Sequence, residues 1–188
     1  YILQWINKYK SADENPPSKR IAAPSRAPYD PLTNIIVKES LNLDDSSIKD
    51  IQQYHTLCMQ TENIQGGLLE EYISLKVQNC DWIWCKGETV KSIDFCTRNA
   101  KHLLQIKNKY NTENSSSNKI REGTTIQKWY RLGKRTIHGS VYPDYKWNDL
   151  NNIITIQGNG TNPDLSEDEF KQFVIQAVRQ NSKILYKL

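Results

Sequence analysis

The chain has 188 residues, of which 25 are Lys or Arg and 21 are Asp or Glu, so its formal net charge is +4. Hydrophobic residues make up 37% and charged residues 24%, which is typical of one folded domain and excludes a disordered chain. No apolar run approaches the roughly 18–20 residues that a membrane-spanning helix needs, so we expect no transmembrane segment.

The N-terminal part of the chain is predicted to be helical around a proline-rich arm. The first five residues, Tyr-Ile-Leu-Gln-Trp, resemble the inside of a helix, so we expect the chain to be a fragment or a trimmed protein. Five of the seven prolines fall between Pro16 and Pro31, and this density predicts an extended arm because proline interrupts helices and central strands. We therefore divide the chain into an N-terminal helix and arm, residues 1–34, and a main domain, residues 35–188.

A long helical pattern follows the arm. Apolar residues recur at spacings of three and four from Ile48 to Met59, which predicts a helix over about residues 46–65. Gly66 and Gly67 interrupt this pattern, and it resumes through about Val77. The two glycines indicate either a kink or close packing against a neighbouring segment.

From Trp82 the pattern changes to short runs of aromatic and branched residues separated by turn-prone ones. The runs at 82–85, 90–96 and 102–107 predict a meander of antiparallel strands. After a polar loop at 111–118, Thr124 or Thr125 is predicted to cap a short helix that continues through Tyr130. Residues 166–169, Ser-Glu-Asp-Glu, form a capping box before a final amphipathic helix. The fold class is therefore α/β (α+β), in a single domain.

The four cysteines, Cys58, Cys80, Cys85 and Cys96, contain no CxxC pair, and the chain has only three His. Neither a zinc site nor a disulfide framework is expected from this pattern. We predict reduced, partly buried thiols, as in a cytoplasmic protein.

Basic and acidic residues are unevenly distributed along the chain. Residues 98–135 contain ten basic residues and two acidic ones, a net charge of +8, so the rest of the chain carries −4. One basic block on an acidic protein is the pattern expected of a protein that binds a phosphate backbone. A solvated basic face is the alternative and is the commoner meaning of charge runs, but the interleaved Asn, Ser, Thr, Trp129 and Tyr130 favour nucleic-acid binding.

Candidate catalytic residues lie on neighbouring predicted elements. Asp94 and Lys107 are on adjacent predicted strands, and Gln105 and Lys107 are two residues apart, so their side chains share one strand face. An Asp carboxylate and a Gln amide oxygen can bind a divalent metal ion, and a Lys can stabilise charge on a reacting phosphate. Glu70 or Glu71 from the helix could complete the ligand set, and periodicity does not choose between them. The alternatives are a cross-strand ion pair and solvated glutamates.

Several segments together resemble type II restriction endonucleases of the SinI-like group, within the PD-(D/E)XK nuclease superfamily. They are residues 65–73 (QGGLLEEYI), Asp94 with the QIK of residues 105–107, the polar stretch 111–117 (NTENSSS), residues 120–124 (IREGT) and residues 128–131 (KWYR). The resemblance covers about residues 45–135. It implies a central mixed β-sheet flanked by helices, and Mg²⁺-dependent cleavage of both strands of double-stranded DNA by a homodimer in the bacterial cytoplasm. The target would be a short symmetric site, of the GGWCC kind that is associated with the group.

The resemblance also implies roles for individual residues. Asp94 would be the central metal ligand, Lys107 the catalytic lysine, and Gln105 the residue in the acidic position of the (D/E)XK element. Glu70 would be the helix carboxylate and metal ligand, with Glu71 as the second candidate. Gln105 departs from the family pattern, where Asp or Glu is usual, which lowers the ligand charge and leaves open a catalytically inactive variant.

DNA recognition is predicted to involve the segment at about residues 108–135. Arg121 suits the guanine O6 and N7 atoms, while hydroxyl residues could contact phosphates or bases; for the serine run, a flexible polar loop is the alternative. The candidate DNA-binding residues are Asn108, Asn111, Glu113, Asn114, Ser115, Ser116, Ser117, Arg121, Thr124, Thr125, Lys128 and Arg131.

Three competing functions remain compatible with the sequence. The first is a DNA repair or recombination nuclease that reads DNA structure instead of sequence. The second is a noncatalytic nucleic-acid-binding module that uses the same basic block without Mg²⁺. The third is an interaction protein whose acidic C-terminal part binds a partner.

Overall fold

The computed structural model describes residues 1–22, 30–109, 123 and 125–185. The helices in this part of the chain are α1 (Ile2–Glu14), α2 (Pro31–Leu41), α3 (Asp45–Lys76), α4 (Trp147–Gln157) and α5 (Glu167–Gln180). The strands are β1 (Trp82–Trp84), β2 (Phe95–Thr97), β3 (Leu103–Lys109), β4 (Ile126–Ile137) and β5 (Ser140–Tyr145). Two 3₁₀ turns, η1 (Pro17–Lys19) and η2 (Lys86–Glu88), connect them. No helix within these described ranges is both long and apolar enough to cross a membrane.

The five strands form one mixed sheet in the order β1-β2-β3-β4-β5. Strands β1, β2 and β3 pair antiparallel, which confirms the predicted meander, although residues 90–94 form a turn instead of the first half of a strand. Strands β3 and β4 pair parallel, with Gln105 opposite Lys128 and Lys107 opposite Tyr130. The predicted α+β class is confirmed, and the mixed sheet flanked by helices is consistent with a PD-(D/E)XK-like nuclease fold.

The helix predicted through Tyr130 is wrong, because these residues belong to the 12-residue strand β4. Pairing with β3 buries Ile126 and Trp129, which are 6% and 3% exposed. A tight turn at His138 and Gly139, with φ of 47° and 80°, then returns the chain into the antiparallel strand β5. Positive φ at both turn residues matches the twist of the two strands, and glycine adopts it without strain.

The two helical segments predicted on either side of Gly66 and Gly67 are one continuous helix, α3. A Cβ atom at Gly67 would lie 3.0 Å from both Cβ and Cγ of Pro17. Of the two predicted explanations, close packing is therefore the one that the structure supports: the glycine lets η1 lie directly against α3, and the helix continues past it.

The predicted C-terminal helix is confirmed as α5, where the Ser166 side chain accepts a hydrogen bond from the Glu169 backbone N–H. Helix α4 was not predicted. Both helices pack against α3 and the sheet through an aromatic cluster, in which the rings of Tyr72 and Trp147 meet edge to face with centroids 5.7 Å apart. The core also contains Leu104, Ile106 and Phe170. This core fixes the position of β3 relative to α3.

The N-terminal helix was predicted correctly and is α1. The arm that follows is held in place up to Ala22, because Asn181 donates hydrogen bonds to the carbonyls of Ser18 and Arg20. The Ala22 N–H also donates to the Ile184 carbonyl. The remainder of the predicted arm, residues 23–29, lies outside the described residues. The boundary predicted at residue 34 stays a prediction, and it falls inside α2.

Candidate active site

Four of the predicted catalytic residues line one cavity of about 560 Å³. Glu70 comes from α3, Asp94 from the turn before β2, and Gln105 and Lys107 from β3. These residues are separated by up to 37 positions in sequence, and the sheet and α3 bring them together. The cavity is otherwise walled by α1, η1, η2 and the turn at residues 90–93.

Strand β3 presents Gln105 and Lys107 to the cavity because side chains alternate along a strand. Leu104 and Ile106 point into the core and are 1% and 5% exposed. Gln105 is half-buried and Lys107 is exposed. Burial of the two apolar residues therefore fixes the direction of the two polar ones.

Asp94 is held at the edge of β3 by its backbone and its carboxylate. Its N–H donates to the Leu104 carbonyl at 3.0 Å, and its carbonyl accepts from the Cys85 N–H at 2.8 Å. Its Oδ2 atom accepts a hydrogen bond of 2.6 Å from the Ile106 N–H. Nearby Ser92 has a φ of 65°, a left-handed conformation that is costly for a residue other than glycine. These contacts orient the Asp94 carboxylate next to the two cavity residues of β3.

The structure separates the two adjacent glutamates of α3. Glu70 is half-buried in the cavity wall, and its Oε2 atom accepts a hydrogen bond of 3.1 Å from the Trp84 indole. Glu71 does not line the cavity and is 8% exposed. Its carboxylate accepts hydrogen bonds from the backbone N–H and the hydroxyl of Ser18, at 2.8 and 2.6 Å. Glu70 therefore faces the candidate site, while Glu71 fixes the arm to α3.

Basic residues that the sequence did not single out also line the cavity. Arg20, Lys86 and Lys91 join Lys107, so four cations line the cavity together with the carboxylates of Glu70 and Asp94, and Lys86 is paired with Asp13 outside it. They come from η1, η2 and the loop after it, and no spacing in the sequence links them. A cavity with this excess of positive charge can attract a phosphate group.

The carboxylates affect a neighbouring thiol. Burial raises the pKa of Cys85 to about 12, and Cys96, Asp94 and Glu70 add to the rise. The Sγ atoms of Cys85 and Cys96 lie 3.8 Å apart. All four cysteines are free thiols and are buried or half-buried. Cys85 is therefore protonated at neutral pH and is a poor nucleophile there.

The cavity offers a small set of oxygen ligands for a metal ion. Among the described residues, no group of three or more His, Cys, Asp or Glu side chains is arranged to hold a metal ion. The cavity offers the carboxylates of Glu70 and Asp94 and the amide of Gln105. Mg²⁺ binds through one or two carboxylates and completes its shell with water and substrate phosphate. The residues present therefore fit Mg²⁺ and do not fit an ion that needs a full protein cage.

Arg131, a predicted DNA contact, is placed in the protein interior. It is 5% exposed, and its Nη1 atom donates to both carboxylate oxygens of Glu167, at 2.7 and 2.6 Å. Its Nε atom donates to the Asn108 side chain, another predicted DNA contact, at 2.9 Å. Asn108 in turn donates to Gln65 on α3 at 2.7 Å. Both residues therefore join β3 and β4 to the helices, which argues against DNA contact by either.

Of the remaining predicted DNA contacts, two line another cavity and the others lie outside the described residues. Thr125 and Lys128 line a separate cavity of about 390 Å³, together with Lys101 and His102. Other members of the basic block are in ion pairs: Lys109 with Glu62 at 2.6 Å and Arg98 with Asp81 at 3.3 Å. Outside the described residues lie Asn111, Glu113, Asn114, Ser115, Ser116, Ser117, Arg121 and Thr124.

Comparison with known proteins gives consistent matches. The family model of the SinI restriction endonuclease matches residues 4–180. The chain is 35% identical over 166 residues to the type II restriction enzyme SinI of Salmonella infantis, and 36% identical over 169 residues to the type II restriction enzyme Eco47I of Escherichia coli. These alignments cover 86% and 88% of this chain. The chain spans 66% of the length of the first relative and 68% of the second.

Proposed function

The chain belongs to the SinI restriction endonuclease family, and from this we propose that it is a type II site-specific deoxyribonuclease. It would hydrolyse both strands of double-stranded DNA at a short symmetric site. The observation that carries the proposal is the cavity that contains Glu70, Asp94, Gln105 and Lys107 together. The two carboxylates and the amide can hold a divalent metal ion, and the lysine can stabilise charge on a phosphate, which suits metal-assisted phosphodiester hydrolysis.

Each of these four residues has a role in the proposed reaction. The Lys107 ammonium group would stabilise negative charge that develops on the scissile phosphate. Asp94 and Glu70 would hold Mg²⁺ with help from the Gln105 amide oxygen. When bound, Mg²⁺ would act as a Lewis acid on a phosphate oxygen. The hydrogen bonds from Ile106 to Asp94 and from Trp84 to Glu70 would keep both carboxylates oriented, which reduces the reorganisation needed during the reaction.

The neutral Gln105 makes the second carboxylate more important in this proposal. With Gln in the position where the family pattern has an acid, Asp94 and Glu70 supply the charge of the ligand set. We assign the helix carboxylate to Glu70, because Glu70 lines the cavity while Glu71 is bound by Ser18.

Recognition is proposed to use the segment at residues 108–135, without Asn108, Lys109 and Arg131, whose side chains pair within the protein. We propose that the polar residues at 111–117, Arg121, Thr124, Thr125 and Lys128 contact the DNA, with Arg121 reading a guanine. A homodimer would place one copy of the chain on each half of a symmetric DNA site. We propose that this site is of the GGWCC kind and that the protein acts in the bacterial cytoplasm.

The proposal is tested by incubating a long unmethylated DNA with the protein, with and without Mg²⁺. We expect discrete fragments that require Mg²⁺ and that disappear with Lys107→Ala. Lys109→Ala is the matched control: Lys109 lies on the same face of β3, but it pairs with Glu62 and does not line the cavity. This variant should cleave normally.

The outcomes separate the competing functions. Fragment ends at one sequence would identify the recognition site, whereas a smear of products would favour a nuclease that reads structure. Binding without cleavage at any Mg²⁺ concentration would overturn the proposed reaction and favour the noncatalytic binding module.

A further inference from the structure

A second, open cavity continues from the candidate active site along the N-terminal helix. It has a volume of about 1460 Å³, and it shares Ala12, Arg20 and Gly87 with the wall of the first cavity. The side chains that line the rest of it come mainly from α1 and from the segment around η1. We call this second cavity the α1 cleft. The α1 cleft and the active-site cavity form one continuous surface.

The α1 cleft is lined by positively charged side chains. Lys8, Lys19 and Arg20 line it, and none of its described lining residues is an Asp or Glu. Lys8 and Lys19 are exposed. The ring of Trp5, 47% exposed, also lines the cleft. A row of cations beside an exposed aromatic ring suits a phosphodiester backbone, and a small anion would fill little of a cleft this wide.

Three contacts join α1, which lines the cleft, to the segment that leads to Asp94. The Trp5 indole N–H donates a hydrogen bond of 3.0 Å to the Thr89 carbonyl, and Lys86 forms an ion pair with Asp13. A Cβ atom at Gly87 would lie only 2.9 Å from the Ala12 Cβ, so η2 and α1 are in close contact. Because η2 directly precedes the turn that carries Asp94, these contacts hold the lysines of the cleft at a fixed distance from the cavity.

We propose that the α1 cleft binds the phosphate backbone of the DNA that flanks the cleaved phosphodiester, through Lys8, Lys19 and Arg20. The inference rests on the proposed function and adds a DNA contact that lies outside the segment at residues 108–135. In this arrangement, DNA that occupies the active-site cavity continues along α1, and its backbone stays between the arm and the helix.

The test measures the affinity for a fluorescent duplex in EDTA, where hydrolysis does not proceed, over a range of salt concentrations. The logarithm of the binding constant falls linearly with the logarithm of the salt concentration, and each lost phosphate contact should make this fall less steep by about 0.9. At 0.1 M salt, one lost contact corresponds to about an eightfold loss of affinity. The double variant Lys8→Ala/Lys19→Ala should therefore bind about sixtyfold more weakly. Lys10→Ala is the control, because Lys10 is exposed on α1 but does not line the cleft.

The outcomes distinguish this inference from the proposed function. If the wild-type protein binds the duplex and the double variant keeps its affinity and salt slope, the inference is overturned and the proposed function stands. A loss of about eightfold with Lys10→Ala, as large as that expected for one cleft lysine, would also overturn it, because general charge would then explain the effect. Failure of the wild-type protein to bind or cleave DNA would refute the proposed function itself. Thermal unfolding of each variant confirms that these exposed substitutions leave the fold intact.

Discussion

Replacing the two adjacent glutamates of α3 with glutamine, one at a time, should affect different properties: Glu70→Gln should lower the cleavage rate, and Glu71→Gln should lower the stability of the fold. The change keeps the side-chain shape and removes the negative charge. Glu70→Gln retains an oxygen that can accept the Trp84 hydrogen bond, so the free energy of unfolding should change by less than about 1 kcal/mol. The cavity loses one of its two carboxylates, and the rate of DNA cleavage should fall by about 10²–10³-fold, the usual cost of removing one preorganised electrostatic group.

Glu71→Gln should destabilise the fold and leave the chemistry unchanged. The Glu71 carboxylate accepts one hydrogen bond at each oxygen, from the N–H and the hydroxyl of Ser18. A glutamine is neutral, so both bonds lose their charge assistance, and its NH2 group can keep the second contact only if the Ser18 hydroxyl turns to accept; the cost should be about 1.5–3 kcal/mol. For a domain of this size, that corresponds to a fall in Tm of about 3–12 °C.

Urea unfolding monitored by circular dichroism, together with the cleavage rate at a temperature where both variants are folded, separates the two effects. The reasoning would be refuted if Glu71→Gln abolished cleavage without changing the unfolding midpoint. It would be refuted equally if Glu70→Gln lowered the midpoint and cleaved DNA at the wild-type rate.

Three further predictions concern other contacts of the structure. Arg131→Ala should lower the free energy of unfolding by about 3–5 kcal/mol, because it removes a buried cation and leaves the half-buried Glu167 carboxylate without its partner; a stable variant with weaker DNA binding would contradict the interior position of Arg131. Gly87→Ala should cost about 1–3 kcal/mol, since it forces φ of 71° on an alanine and brings a Cβ against Ala12. Faster amide exchange in α1 would reveal the resulting loosening, and unchanged exchange would exclude it. Cys85 should react with iodoacetamide at pH 8 about a thousandfold more slowly than a free thiol, because a pKa of about 12 leaves little thiolate. Its rate should still rise about tenfold per pH unit between about pH 8 and pH 10, and a plateau near pH 9 in site-resolved mass spectrometry would show that the pKa is not raised.

Local sequence signals were sufficient where a structure depends on neighbouring residues. The capping box at residues 166–169 predicted the start of α5, because a capping hydrogen bond joins residues three apart. The short runs after Trp82 predicted β1 to β3 for a similar reason: antiparallel strands joined by short connections carry their turn residues with them. Alternation along β3 correctly placed Gln105 and Lys107 on one face.

Elements that depend on distant partners were predicted less well. The residues of β4 follow Thr124 and Thr125, which suggested a helix cap, and pairing with the distant strand β3 decides that they form a strand. Helix α4 was missed, because its burial depends on the aromatic cluster with Tyr72 and Phe170. Parallel pairing and helix packing involve residues far apart in sequence, which periodicity in a short window does not report.

In the candidate site, too, some features follow from neighbouring residues and others from residues that are distant in sequence. The sequence by itself determined the residue types, the shared face of Gln105 and Lys107, the charge segregation and the resemblance to a nuclease family. Only the tertiary structure decided that Glu70 and not Glu71 lines the cavity, since the two are adjacent on α3 and differ in whether Trp84 or Ser18 lies opposite. It also decided that Arg131 is part of an internal ion pair with Glu167. A charged residue has the same local pattern at a surface and in a buried pair, and its role depends on what the folded chain places next to it.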